Sequence, residues 1–183
     1  TFAQVSVTGE NVDFSGNCGN RSSAVGPYAV DEKLVSCPSD GEVLVRIFNT
    51  NSGKIIHARF DVRNGEAVVE GDEVLPGVSS RGAPVRLEFL DPAGTSGQGL
   101  LPAGAALSRL QDSSETQIEA SLIDAAIPCI FVRAEDLGVS PAITPQEMDG
   151  DRELMSRLES LRMQASVKMV LAADLAEAAA RIA

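Results

Sequence analysis

The residues best suited to chemistry lie in one short Gly- and Asn-rich segment, residues 15–20. Cys18 stands there immediately before a predicted helix, where unpaired backbone N–H groups and the helix dipole concentrate positive potential. That setting favours a thiolate, which can accept and return protons near neutral pH. The N–H groups of Gly19 and Asn20 could hold a carboxylate and spread the charge that develops when a neighbouring C–H is deprotonated. The segment therefore predicts a proton-transferring cysteine beside a small anion site.

A structural role for the same segment is the main alternative. A single cysteine near a helix start is commonly a small buried hydrophobic residue, and Gly-Asn sequences are common in turns. Cys37 and Cys129 are expected to be structural thiols of this kind. The residues alone leave both interpretations of Cys18 open.

Composition argues against several other classes of function. The net charge of -11 and the pI near 4.5 disfavour nucleic acid and anionic membrane surfaces as partners. Three widely spaced cysteines and a single histidine, His57, form no metal-ligand pattern. The odd cysteine count favours free thiols in a reducing compartment, for which the cytoplasm is the default. No apolar run reaches the length of about 18 residues that a membrane span needs.

Hydrophobic periodicity predicts a helix followed by a sheet in the first half of the chain. The helix follows the Cys18 segment and runs to about residue 35, with Pro27 expected to kink it. Strands are predicted within residues 41–90, and Asn64-Gly65 is typical of a two-residue hairpin turn. An antiparallel sheet wrapped around the helix would use all of these elements.

The predicted organisation changes after residue 90. Residues 91–105 are rich in Gly and Pro and predict a long loop, and the polar, aperiodic residues 109–118 predict a crossover between domains. Two strands separated by Pro128 follow. Thr144 then begins a helix with capping-box spacing and Pro at its first position.

Neither end of the sequence resembles a natural domain boundary. The first residues alternate like a strand already under way, and the last residues form an Ala-rich helical stretch. We therefore expect the chain to be part of a longer protein.

Collinear motifs give the chain a resemblance to a known family. They are Ser15-Gly16-Asn17-Cys18-Gly19-Asn20, Ala24-Val25-Gly26-Pro27-Tyr28-Ala29-Val30-Asp31-Glu32, and residues 2–7, 49–54, 76–78, 82–94 and 100–104. Together these motifs resemble those of the 2-methylaconitate cis-trans isomerases. The relatives of that family include aconitate isomerases, methylitaconate isomerase and 4-oxalomesaconate tautomerase.

The resemblance implies an α+β fold similar to that of diaminopimelate epimerase, in which curved, mostly antiparallel sheets each wrap around a central helix. Residues 1–116 would form the first half, which carries the Cys18 loop and central helix. Residues 117–183 would begin a second, incomplete half. The implied activity is an isomerisation or tautomerisation that needs no cofactor or metal. It would shift a proton and a double bond in an unsaturated tricarboxylate such as 2-methylaconitate, aconitate or 4-oxalomesaconate.

The resemblance also implies roles for individual residues. Cys18 matches the family's catalytic cysteine, and Ser15, Asn17, Gly19 and Asn20 are expected to bind the substrate. The expected partner is a small tricarboxylate rather than nucleic acid or a membrane, in the cytoplasm. A homo-oligomer stays an open alternative.

Several departures from the family pattern keep other functions in view. The family's catalytic lysine precedes the cysteine motif and is expected to lie before residue 1, and the strands that close the cleft are expected after residue 183. Ala126 stands where relatives commonly carry Asn, and residues 95–100 differ from their Thr-Gly-Lys-Leu pattern. The alternatives are a non-catalytic carboxylate-binding module, an inactive fragment of such an enzyme, and an amino-acid epimerase. The last lacks support, because no Gly-x-Arg-Cys sequence follows Asn20.

Overall fold

The computed structural model describes residues 1–5, 10, 12–14 and 16–180. The chain is α+β and divides into two compact units, Thr1–Asp91 and Pro92–Ala183. The strands are β1 (Gln4–Val5), β2 (Val12–Asp13), β3 (Gly41–Asn49), β4 (Lys54–Arg63), β5 (Glu66–Ala67), β6 (Arg86–Phe89), β7 (Ser108–Gln111), β8 (Gln117–Ala125) and β9 (Ile127–Val132). The helices are α1 (Gly19–Asp31), a 3-10 helix (Ala134–Leu137), α2 (Pro145–Gly150), α3 (Arg152–Lys168) and α4 (Leu175–Ala180).

The first unit is built on an antiparallel sheet with β4 at its centre. Strand β3 pairs with one edge of β4, and β5 and β6 pair with the other. Burial alternates along β3 and β4, so that one face of the sheet is covered. The apolar side chains that form the core of this unit are Val30, Val43, Val45, Ala58, Phe60 and Val62.

Helix α1 packs on this covered face at very close range. A Cβ atom added at Gly26 would lie 2.8 Å from a ring carbon of Phe60 and 3.0 Å from the Cβ of Ala58. Phe60 is buried and Ala58 is fixed to the strand backbone, so neither can move aside easily. Gly26 therefore sets how closely α1 approaches β4.

The predictions for the first unit are largely confirmed. Helix α1 follows the Cys18 segment and continues through Pro27, but it ends at Asp31 rather than near residue 35. The Asn64-Gly65 turn joins β4 to β5, with φ of 54° and 74° at its two residues, as a type I′ hairpin requires. Of the strand expected at residues 1–7, Gln4–Val5 is observed and residues 6–7 lie outside the described part.

The second unit packs a three-stranded antiparallel sheet, in the order β7-β8-β9, against helices. The buried apolar side chains of its core are Leu110, Ile118, Ala120, Leu122, Leu137, Leu154, Leu161, Ala165 and Met169. The predicted capping box is confirmed, because Thr144 and Glu147 satisfy each other's backbone N–H groups at the start of α2. A second N-cap, Asp151, then begins α3.

The segment 109–118, which was expected to cross between domains, is a hairpin within the second unit. Strands β7 and β8 pair there from Ser108↔Ala120 to Gln111↔Gln117. The compact units accordingly divide after Asp91, earlier than the boundary at residue 116 that the sequence suggested. Pro128, which was expected to separate two strands, is the second residue of β9 and lies opposite Asp124.

A buried ion pair joins the β7–β8 turn to α3. The Asp112 side chain is fully buried and accepts hydrogen bonds from the Ser114 and Thr116 backbone N–H groups at 2.9 and 3.0 Å. Nε of Arg157 lies 2.7 Å from the same carboxylate, and Nη1 donates to the carbonyl of Leu137 at 2.8 Å. Burial raises the pKa of Asp112, but these hydrogen bonds, with that of the Ser114 hydroxyl, outweigh it and lower the pKa from 3.8 to about 2.

We expect Gly26→Ala to lower the free energy of unfolding by about 1–3 kcal/mol, because the added methyl group overpacks the α1–β4 contact. Urea unfolding measures the change. Gly150→Ala is the matched control, since its Cβ would meet no atom within 4 Å. Equal stability of the two variants would contradict the proposed role of Gly26.

The Asp112–Arg157 pair should make the free energy of unfolding depend on pH in the acidic range. A carboxylate whose pKa is lower in the folded state stabilises the fold above its unfolded pKa, and that contribution is lost as pH falls through the folded pKa. The pKa difference corresponds to about 2 kcal/mol, lost between about pH 4 and pH 2. Asp112→Asn should destabilise by about 3 kcal/mol at pH 7, and this deficit should shrink as pH falls through that window.

Urea unfolding of the parent and of Asp112→Asn at pH 7 and pH 3 tests the dependence. Glu135→Gln serves as the control, because Glu135 is 78% exposed and pairs only at the surface with Arg133. Its effect should stay below about 1 kcal/mol at both pH values. A deficit for Asp112→Asn that does not change with pH would refute the assignment.

Candidate active site

Cys18 is the N-cap residue of α1. Its backbone is extended, with φ −125° and ψ 106°, and its thiol makes no capping hydrogen bond to the first turn. Most N-caps use a side-chain oxygen to satisfy these N–H groups. Because the thiol does not, the N-terminal N–H groups of α1 are left for other acceptors.

Ser22 stabilises the first turn of α1 through two hydrogen bonds to the Cys18 carbonyl. The Cys18 carbonyl accepts hydrogen bonds from the Ser22 N–H at 3.0 Å and from the Ser22 hydroxyl at 2.7 Å. No Asp or Glu occurs in this turn, so no carboxylate offsets the positive end of the helix dipole from within it. Cys18 therefore lies at a positively polarised helix start and is half-buried.

An apolar side chain borders the same helix start. The ring of Phe89 lies 3.7 Å from the position that a Cβ of Gly19 would occupy. Phe89 pairs with Ile56 in the sheet, which places it on the face that α1 covers. A low-dielectric wall of this kind strengthens electrostatic interactions with the nearby N–H groups.

A buried asparagine contacts the segment immediately before Cys18. Asn49 is 7% exposed and donates from Nδ2 to Oδ1 of Asn17 at 2.8 Å. Its own Oδ1 accepts from the backbone N–H groups of Asn51 and Ser52 at 2.9 and 3.4 Å. Asn49 thus connects the β3–β4 turn to the Cys18 segment.

Asn51 adds a second connection from the same turn. Its Oδ1 accepts from the Phe2 N–H at 2.7 Å, and its Nδ2 donates to the carbonyls of Phe2 and Phe14 at 2.7 and 2.5 Å. Asn51 therefore holds the backbone just before β1 and immediately after β2.

The structure describes four of the five residues predicted for the site, and these four are consecutive in the sequence. Asn17, Cys18, Gly19 and Asn20 are contiguous at the start of α1, whereas Ser15 lies outside the described residues. No role for Asn49 was predicted from the sequence. The available signal was its position two residues beyond Ile47 in an alternating strand, which places it on the covered face.

A separate polar cluster in the second unit surrounds Asp124. This carboxylate is fully buried and accepts from the Thr95 hydroxyl at 2.5 Å, the Ser96 hydroxyl at 2.6 Å and the Ser96 N–H at 2.7 Å. Burial raises its pKa, but the hydrogen bonds of Ser96 and Thr95 dominate and lower it. Within the described part of the chain, no cationic side chain pairs with Asp124.

The same residue fixes the loop through its backbone. Gly94 donates to the Asp124 carbonyl, and the Asp124 N–H donates to the carbonyl of Leu100, both at 2.9 Å. The loop that departs from the family's Thr-Gly-Lys-Leu pattern is therefore anchored at both ends to β8.

The described residues contain no group of three or more His, Cys, Asp or Glu side chains placed to hold a metal ion. Across residues 1–5, 10, 12–14 and 16–180, no helix is both long and apolar enough to cross a membrane.

Comparison with known proteins identifies the family. Residues 1–183 match the family described as PrpF protein. The chain belongs to the PrpF protein family. The resemblance inferred from the Cys18 motif and the collinear segments is thereby confirmed.

Relatives in this family carry names of isomerases and tautomerases. The chain is 41% identical to 3-methylitaconate isomerase of Eubacterium barkeri, over 97% of this chain. It is 37% identical to 2-methyl-aconitate isomerase of Cupriavidus necator, over 98% of the chain. It is 36% identical to 4-oxalomesaconate tautomerase of Pseudomonas putida, over 93% of the chain.

The match covers most of this chain but only part of each relative. The shares of the three relatives are 46%, 47% and 45%, so the chain spans about half their length. A crystal structure of methylitaconate-delta-isomerase matches with a TM-score of 0.79 and 41% identity, over 97% of this chain and 46% of that one. The α+β fold expected from the sequence is confirmed by this PrpF-type structure.

We expect Asp124→Asn to destabilise the loop at residues 94–100, because an Asn amide presents N–H donors where Ser96 and Thr95 also donate. The free energy of unfolding should fall by about 1–3 kcal/mol, and the Ser96 amide should exchange faster with solvent in hydrogen-exchange NMR. Asp91→Asn is the control, since Asp91 is 88% exposed. Unchanged Ser96 exchange in Asp124→Asn would show that the carboxylate does not hold the loop.

Proposed function

We propose that this chain carries the proton-transfer cysteine of an isomerase or tautomerase that acts on an unsaturated tricarboxylate. The observation that carries the proposal is the placement of Cys18 at a helix start with no carboxylate in its first turn. The names of the relatives, at 36–41% identity, support the same reaction class.

The chemistry balances without a change of oxidation state. The Cys18 thiolate accepts a proton from an allylic carbon, and the electron pair of the broken C–H bond delocalises into the double bond and the adjacent carboxylate. The Cys18 thiol then returns a proton to the other end of the three-carbon unit, which moves the double bond and restores the thiolate. Because no electrons are gained or lost overall, the proposed mechanism needs no redox cofactor.

The start of α1 would stabilise the charge that develops in this reaction. The N–H groups of Gly19 and Asn20 and the side chain of Asn17 are the proposed donors to substrate carboxylates. Ser15 stays a proposed substrate-binding residue from the sequence. Such a local site allows a protein of net charge -11 to bind a polyanion.

The domain organisation, the location and the partner are proposed from the family resemblance. The chain is proposed to supply one epimerase-like half and the beginning of a second, with the boundary after Asp91, where the compact units divide, rather than at residue 116. The proposed location is the cytoplasm, and the proposed partner is a small carboxylate. One relative is named for 3-methylitaconate, which has two carboxylates, whereas the proposed substrate has three. The number of carboxylates on the substrate is therefore the first property to test.

A carboxylate-binding module without catalysis is the second candidate function. The observation that favours it is the share of the relatives that the chain spans, 45–47%. Binding without proton exchange would distinguish it from the isomerase.

The test is proton NMR in D2O with cis-aconitate, trans-aconitate, 2-methylaconitate, 3-methylitaconate and 4-oxalomesaconate added in turn. We expect deuterium uptake at the allylic position and formation of the isomer. Cys18→Ser should reduce both rates by at least about 100-fold, because a serine hydroxyl is a far weaker base than a thiolate.

Cys37→Ser is the matched control, because Cys37 is also a half-buried free thiol and lies outside the proposed site. It should retain the parent rate. Equal rates in Cys18→Ser and the parent would overturn the role of Cys18. Calorimetric binding of these acids with no exchange in any sample would replace the isomerase by the binding module.

A further inference from the structure

The Asn49 side chain has a hydrogen-bonding orientation that its neighbours determine. Two backbone N–H groups, of Asn51 and Ser52, point at one end of its carboxamide. A backbone N–H can only donate, so that end must be the oxygen, Oδ1. The other end, which faces Asn17, is therefore the donating Nδ2 group.

The orientation of the Asn49 side chain also determines that of the Asn17 side chain. Nδ2 of Asn49 lies 2.8 Å from the Asn17 side chain and needs an acceptor there, which only the Asn17 oxygen can supply. With its oxygen turned toward Asn49, Asn17 leaves its Nδ2 group, with two N–H donors, for a ligand. The asparagine that precedes the cysteine is thus set as a donor rather than an acceptor.

We propose that Asn49 is a positioning residue that fixes Asn17 as a hydrogen-bond donor to a substrate carboxylate. This inference rests on the proposed function and adds a specificity element to it. A donor beside Cys18 suits an anionic ligand, whereas an Asn17 oxygen in the same place would repel it.

The surroundings of Asn49 make this orientation persistent. Asn49 is 7% exposed, so an unsatisfied polar end there would be costly. Asn51, which holds one end of the Asn49 carboxamide, is itself tied to the backbones of Phe2 and Phe14. Rotating the Asn49 carboxamide would break its bonds to both the turn and Asn17.

Asn49→Asp reverses the arrangement with little change of shape. The aspartate still accepts from the N–H groups of Asn51 and Ser52, so the turn is kept. It has no donor for Asn17, which must turn its Nδ2 group inward and present its oxygen to the ligand. We expect the dissociation constant for an anionic ligand to rise by about tenfold or more.

The experiment is calorimetric titration of the protein with tricarballylate, a saturated tricarboxylate that cannot isomerise. Four forms are compared: the parent, Asn49→Asp, Asn17→Leu and the double variant. If Asn49 acts through Asn17, Asn49→Asp should weaken binding by about tenfold in the parent and by less than about twofold in the Asn17→Leu background. Thermal unfolding checks that each variant is folded.

Thr50→Asp controls for the added negative charge. Thr50 is exposed, lies next to Asn49, and contacts Thr1 rather than Asn17. It should weaken binding by less than about threefold, since an exposed charge is screened. An effect equal to that of Asn49→Asp would overturn the inference in favour of simple charge repulsion.

Other outcomes are equally decisive. Equal loss of binding for Asn49→Asp with and without Asn17 would show that Asn49 acts independently of Asn17 and overturn the inference. So would a parent protein that binds no tricarballylate at ligand concentrations up to about 10 mM. Coupled binding without isomerisation in D2O would overturn the proposed function and leave the inference standing. Isomerisation without the coupling would do the reverse.

Discussion

Helix α1 can lie against the central strand of its sheet only because position 26 carries no side chain. Phe60 and Ala58 leave no room for even a methyl group there. That contact sets how closely the helix approaches the sheet at Gly26, two turns after its first residue. The contact between Asn17 and Asn49 depends on this close approach of the helix to the sheet. The candidate site therefore depends on a packing constraint remote from its own polar groups.

Sequence patterns predicted the elements whose conformation depends on a few neighbouring residues. The Asn64-Gly65 turn requires positive φ at both positions, which Asn and Gly tolerate best, so the sequence was sufficient. The Thr144 capping box was equally local. The hairpin at residues 108–120 was missed because its polar turn owes its order to Asp112 and to Arg157, which lies 45 residues away in the sequence. No short window contains both partners.

The candidate site could be predicted only in part from the sequence. The Cys18 segment was recognised from residue types next to a helix start, and the family comparison agrees with the wider resemblance. Asn49 was not recognised, because an asparagine at the end of a strand normally marks a turn. Its second role depends on the partner that the fold brings to it, Asn17, through a contact between distant parts of the chain. Pro128 was predicted to separate two strands, but it lies within β9, the last strand of the three-stranded sheet, where a proline can be tolerated.

The lone carboxylate of Asp124 has a consequence for the order in which the second unit forms. In the unfolded chain water solvates this charge, and the carboxylate can leave water only when Thr95 and Ser96 are in place to replace it. Strand β8 and residues 94–100 must therefore become ordered in the same event, although they are far apart in sequence. We therefore expect the loop to open together with this end of β8 rather than separately from it.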